Sequence, residues 1–184
     1  PRISARPGGL GGEPVPIGRP LSGTPALFED VIWYAAPATS PDLPGALVAL
    51  HRGGALVRRH ELDNLLGRQG QPVAHGVAGD GRFLYPGLTD YAFGDERPPK
   101  SILALEPHSG RVAWQIPTPS RELSTPVALD GVLYATGSSA SGVYAVDVGA
   151  PRLLWRSSVE ADHRFQPAVA GDTGAVLAGP LTGG

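Results

Sequence analysis

Short apolar runs broken by glycine, proline and acidic residues follow one another along the whole chain, and no stretch carries the periodicity of a long amphipathic helix. One run, Thr24-Pro25-Ala26-Leu27-Phe28-Glu29-Asp30-Val31-Ile32-Trp33, returns at Thr125-Pro126-Val127-Ala128-Leu129-Asp130-Gly131-Val132-Leu133-Tyr134. It returns again, with Gly for Pro, at His75-Gly76-Val77-Ala78-Gly79-Asp80-Gly81-Arg82-Phe83-Leu84, and in shortened form at Gln166-Pro167-Ala168-Val169-Ala170-Gly171. A second pattern follows each of the first three copies: Ala46 to His51, Ser101 to Glu106, and Gly142 to Asp147. Each leads through a turn into a closing apolar strand, Ala55 to Arg58, Arg111 to Trp114 and Arg152 to Trp155. One unit is therefore four short strands. Asp80-Gly81 and Asp130-Gly131 read as type I′ hairpin turns, because aspartate and glycine tolerate positive φ.

A four-stranded unit of ~40–50 residues in tandem is the signature of a β-propeller blade. A β-sandwich also has evenly spaced short strands, but it does not need the same sequence at the same offset. The expected fold is thus all-β, an incomplete propeller ring of about three and a half four-stranded antiparallel blades. Residues 1–21 read as a linker or the tail of a preceding blade, and 22–66, 67–121 and 122–163 as blades. Residues 164–184 read as the start of a further one. The rest of the ring is expected from sequence outside this chain, which opens on Pro1 and holds no Met.

Composition changes this picture little. Gly 26 and Pro 20 among 184 residues border on the low-complexity range. The 41% hydrophobic content and net charge of −2 still allow a buried core, so the glycines and prolines must punctuate short elements. A near-neutral chain without a clustered basic face is not expected to bind nucleic acid. No run approaches the ~18 apolar residues of a membrane-spanning helix. The absence of cysteine excludes disulfides, thiolate metal sites and cysteine nucleophiles, and leaves the redox compartment open.

The segment Ala104-Leu105-Glu106-Pro107-His108-Ser109-Gly110-Arg111-Val112-Ala113-Trp114 resembles the tryptophan-docking motif of pyrroloquinoline quinone (PQQ)-like propeller repeats, Ala-x-Asp-x-x-Thr-Gly-x-x-x-Trp. Ala145 to Trp155 is similar again, with Asp147 in place but Gly149-Ala150-Pro151 at the turn. Ala49 to Arg58 is a degenerate copy, with His51 and Arg58 at the acidic and tryptophan positions. Ala104, Glu106, Gly110 and Trp114, and likewise Ala145, Asp147 and Trp155, are expected to be structural. A small alanine lets sheets approach, a carboxylate and Ser109 hold the turn, and the indole covers the gap to the next blade with its N–H bonded. Truncating Trp114 or Trp155 to Ala is expected to cost about 3–5 kcal/mol each, and Arg58→Ala much less.

The resemblance implies either a non-catalytic propeller that binds protein or senses a ligand, or a fragment of a PQQ-dependent dehydrogenase using PQQ with Ca²⁺. The dehydrogenases' adjacent cysteine pair is absent, and no Asp or Glu stands in the context of their catalytic or Ca²⁺-binding residues. We therefore expect no catalytic, cofactor-binding or metal residues and no cofactor. The resemblance also implies a bacterial protein, extracytoplasmic or membrane-anchored.

Other chemistry fares no better. Gly137 to Gly142 never forms Gly-x-Ser-x-Gly and reads as a flexible turn. Gly8-Gly9-Leu10-Gly11-Gly12 precedes no helix and reads as a linker. The histidines His51, His60, His75, His108 and His163 lack metal spacing; His108 reads as solvated and His60 as part of a surface charge cluster. What stands out is loop length. The blade-two loop, read from Pro86 to Lys100, carries Tyr91 and Phe93 beside Asp90, Asp95, Glu96 and Arg97, a composition suited to a protein or ligand partner at the propeller rim. Replacing residues 88–97 by a short turn is expected to preserve folding and remove binding.

Overall fold

The computed structural model describes residues 21–37, 45–62, 72–90, 99–138, 142–159, 166–170 and 175–178. The first sheet holds β1 (Ser22–Phe28), β2 (Val31–Ala36), β3 (Ala46–His51) and β4 (Leu56–Glu61), in that order and antiparallel. The second repeats the meander with β5 (Pro72–Gly79), β6 (Leu84–Asp90), β7 (Ser101–Leu105) and β8 (Val112–Pro117). The third does so with β9 (Val127–Leu129), β10 (Val132–Gly137), β11 (Gly142–Asp147) and β12 (Arg152–Arg156). β13 (Ala168–Ala170) and β14 (Ala175–Leu177) pair as two strands of a fourth unit. The fold is all-β and propeller-like, with three four-stranded blades and part of another. Among the described residues no helix is long and apolar enough to cross a membrane.

The first strand of each blade lies innermost. β1 lies against β5, β5 against β9, and β9 against β13. Two polar bonds tie the inner edge together: Gln166 donates from Nε2 to Pro126 O (2.9 Å), and Thr24 Oγ1 donates to Gln166 Oε1 (2.8 Å). An innermost strand is a sheet edge, where a proline removes no ladder bond. Pro25 accordingly falls where the β1–β2 register shifts between Ser22 and Ala26.

Burial follows the same radial order. The middle strands are dark on both faces, as in Ala46 to Ala49 and Gly142 to Val146, while all of β12 is exposed. The apolar core forms between blades. Trp33, Leu47 and Ala49 of the first meet Val77, Leu84, Leu103 and Leu105 of the second. Phe83, Tyr85, Ile102 and Ala104 of the second meet Leu133, Tyr144, Val146 and Val148 of the third.

The hairpins follow their turn chemistry in one case of two. Asp130 (φ 49°) and Gly131 (φ 78°) are both left-handed, as a type I′ turn requires. The Asp80-Gly81 turn is instead a wider loop closed by Gly79↔Leu84. Asp80 Oδ1 there accepts from the backbone N–H groups of Arg82 and Phe83 (both 2.8 Å).

The blade-two loop starts later than the sequence indicates, because Pro86 does not end the strand. Alternate residues of an antiparallel strand turn their backbone groups to the same edge. Leu84 pairs with Leu105 of β7, but Pro86 has no N–H to continue that ladder. Leu88 pairs instead with Leu123, from the segment joining blades two and three (Leu88 N to Leu123 O 2.9 Å, Leu123 N to Leu88 O 2.7 Å). β6 therefore runs on to Asp90.

Candidate functional site

The motif residues occupy equivalent places in all three blades. Ala49 faces Arg58, Ala104 faces Trp114 and Ala145 faces Trp155 across the last two strands, and in each sheet the register shifts at the next step. The bulge falls directly beside the residue that faces the alanine, where such an irregularity re-aims a side chain. The alanines Ala49, Ala104 and Ala145 are completely buried.

Each motif turn is held by hydrogen bonds to the residue at its third position, Glu106, Asp147 or His51. In blade two, Ser109 Oγ donates to Glu106 Oε2 (2.6 Å) and accepts from Arg111 N (3.1 Å), while Gly110 N donates to Glu106 O (2.8 Å). In blade three, Asp147 Oδ1 accepts from the backbone of both Gly149 and Ala150 (3.0 Å each). The Ala150 bond leads in holding this carboxyl below its ordinary value, with Gly149 and nearby Arg152 adding to it. In blade one, His51 Nδ1 accepts from Gly53 N (3.3 Å), which leaves Nε2 to donate to Asp30 Oδ2 (3.1 Å). The imidazole accepts from the N–H two residues on, as the Asp147 carboxylate does in blade three. Gly110 is required twice over: its φ is 72°, and a Cβ there would lie 2.5 Å from the ring of His60.

His60 departs from its reading as a surface charge. It stacks on Trp33 (5.2 Å between ring centroids) and donates from Nε2 to Pro107 O (3.0 Å). Arg58 donates from Nη1 to the same carbonyl (3.3 Å) and to His108 Nδ1 (3.1 Å). Blade one thus docks on the Glu106–Gly110 turn with polar bonds. Trp114 packs against the core between blades two and three, beside Tyr85 (5.8 Å) and Phe83 (6.5 Å). Its Nε1 is buried with no hydrogen-bond partner among the described residues, where a bonded indole was expected. Trp155 is 43% exposed and rests on Tyr134 (6.1 Å), so it covers less than its motif position implies.

On the opposite rim, the segment from Thr118 to Thr125 is stitched into both neighbouring blades. Lys100 N donates to Ser120 O (2.6 Å), and Thr118 Oγ1 donates to Lys100 O (2.8 Å). Thr89 Oγ1 donates to Glu122 Oε1 (2.8 Å). On the blade-three side, Glu122 N donates to Ser138 Oγ (3.1 Å) and Thr136 N to Ser124 Oγ (3.0 Å). Ser120 Oγ meets the Tyr144 hydroxyl at 2.9 Å. Ser120, Ser124 and Thr136 are fully buried, and Ser138, read as part of a flexible turn, is 6% exposed. The close approach demands a residue without a side chain: a Cβ on Gly87 would fall 2.4 Å from Thr125 N.

This rim carries the long blade-two loop. Asp90 ends β6, paired with Pro72, whereas Tyr91, Phe93, Asp95, Glu96 and Arg97 lie outside the described residues. Leu88 and Thr89, which the sequence reads as loop, belong to the sheet, so replacing residues 88–97 would remove a buried core side chain. Among the described residues no three His, Asp or Glu side chains converge to hold a metal ion.

No family model matches the chain, and no curated protein matches it. The crystal structure of the computationally designed Ika4 protein is similar in fold, with a TM-score of 0.59 and 11% identity. The alignment covers 86% of this chain and 89% of that one, and at this identity the likeness concerns the fold alone.

Proposed function

We propose that this chain is a segment of a PQQ-like propeller of the non-catalytic kind, serving as an interaction or ligand-sensing module whose contact surface is the blade-two rim loop. The observation that carries the reading is the stitched rim. Both feet of the loop, Thr89 and Lys100, bond to the Thr118–Thr125 segment, which bonds in turn to blade three. Binding residues concentrate on loops carried by a fixed scaffold, and these bonds fix the two ends from which this one springs. The PQQ-like assignment rests on the motif of Ala104 to Trp114 and on the alanine-to-outer-strand pairing repeated in three sheets.

The test replaces residues 91–98 by a short Gly-Ser turn and leaves Leu88 to Asp90 intact. Cross-linking and co-purification from the source cells should lose wild-type partners, while the thermal midpoint changes little. Retention of every partner by the folded variant overturns the reading.

A further inference from the structure

We propose that the gap between blades one and two is a binding pocket for a free aromatic amino acid, its ring seated where the other blades place an indole. This site goes beyond the rim-loop reading, since it is built by the turns at the other end of the strands and either can fail without the other. At the position facing the motif alanine, blades two and three carry Trp114 and Trp155, and blade one carries Arg58. A guanidinium anchored on Pro107 O and His108 Nδ1 does not fill the volume of an indole. A pocket of about 180 Å³ is open at that place, bounded by Phe28, Val57 and Pro107 with Glu29, Arg58 and His108. An apolar cavity of about 150 Å³ is enough to hold benzene. This one has room for a flat ring.

Charge selects the rest of the ligand. Arg58 has five N–H donors in a fixed fork, and among the described residues only Nη1 is engaged, which leaves Nε and Nη2 for a carboxylate. Glu29 sits in the β1–β2 turn at φ 55°, is exposed, and makes no ion pair among the described residues. An aromatic acid without an amine faces Glu29 unpaired, and an aromatic amine without an acid faces Arg58 unpaired. A zwitterion satisfies both. An internal tryptophan of a protein partner offers the ring but neither charge.

Isothermal titration of the whole chain with L-tryptophan tests this, with N-acetyl-tryptophanamide and Arg58→Trp as controls. L-Tryptophan should bind with a dissociation constant of about 0.1–1 mM, in keeping with the binding energy per atom of small ligands. The blocked amide should bind at least about tenfold more weakly, for want of the bidentate carboxylate contact. Arg58→Trp fills the pocket and should abolish binding. Should that variant not fold, Arg58→Ala together with Glu29→Gln should remove the preference for the free amino acid over the blocked amide. Absence of saturable binding overturns the proposal. So do equal affinities for the two ligands in the wild type, or wild-type affinity in a folded Arg58→Trp.

Discussion

The three outer-strand positions facing the motif alanines should not be worth the same, and their order can be worked from burial. A buried indole removes ~150–250 Å² from water. Trp155 is 43% exposed, so it hides a little over half of that. At ~25 cal/mol per Å², and after subtracting what an alanine still covers, Trp155→Ala should cost about 2 kcal/mol. This is less than motif position alone predicts. Trp114 is more deeply placed and touches Tyr85 at 5.8 Å and Phe83 at 6.5 Å, contacts worth about 0.5–1.5 kcal/mol each beyond area. Its truncation also opens a cavity. Against this stands a buried N–H without an acceptor among the described residues, a group that costs about 1–3 kcal/mol while it stays unmet. The balance puts Trp114→Ala at about 3–4 kcal/mol, near the ordinary figure for a core aromatic. Trp114→Phe keeps most of the ring area and removes the unmet donor, so it should cost only about 1 kcal/mol. Arg58→Ala loses hydrogen bonds to Pro107 O and His108, one of them solvent-exposed, and should cost about 1 kcal/mol. Urea denaturation followed by circular dichroism measures all four. Equal losses for Trp114, Trp155 and Arg58 would refute the docking argument, and a Trp114→Phe loss matching that of Trp114→Ala would refute the unmet-donor argument.

Gly87→Ala should destabilise by about 2–3 kcal/mol, because its Cβ meets backbone that is itself hydrogen-bonded and cannot yield cheaply; a thermal midpoint within error of wild type would contradict this. Burial, aided by the 2.6 Å bond to Asp80 and the charge of that carboxylate, raises the Tyr85 phenol above its ordinary value. The resulting stability is present below about pH 10 and lost as pH rises beyond it, so Tyr85→Phe should flatten the alkaline limb of a stability-versus-pH curve. Asp147 has the opposite sign. Its contribution is present above the unfolded value of about 3.9 and lost as pH falls through the lowered folded value, so in acid titration the urea midpoint should fall more steeply for wild type than for Asp147→Asn.

What was legible in the sequence is what recurs at a fixed offset. Ala104 and Ala145 announce where sheets approach, and Asp130-Gly131 announces its own turn, because each is decided within a few residues. Pro86 misleads because its consequence lies far along the chain. Proline empties one edge of β6, and only the later segment around Leu123 shows that the vacated edge is filled rather than ended. The same distance hides Ser120, Ser124, Thr136 and Ser138. Ser138 stands in the glycine- and serine-rich run that reads as a turn, yet all four serve here as the bonded lining between two blades. His60 is misread for a different reason: a histidine beside two arginines looks solvated until Trp33 and Pro107 are brought to its two sides.

Blade one shows which parts of the motif are chemical necessities. In blades one and three the acceptor stands two residues before a backbone N–H, and His51 Nδ1 fills that place as Asp147 Oδ1 does. A neutral imidazole accepts through one nitrogen only, so its other nitrogen must donate, and Asp30 receives it. The exchange of carboxylate for imidazole therefore brings a second residue into the turn. The outer-strand position needs something that reaches the next blade, and Arg58 with His60 reaches Pro107 O by hydrogen bonds where Trp114 relies on apolar area. Polar bonds fix a distance without filling the space around it. At its outer strand blade two docks by an indole packed against Tyr85 and Phe83; blade one docks there by a guanidinium and an imidazole and keeps a gap. The same substitutions that make the first motif look degenerate are the ones that leave a lined pocket there, between two blades already held in place.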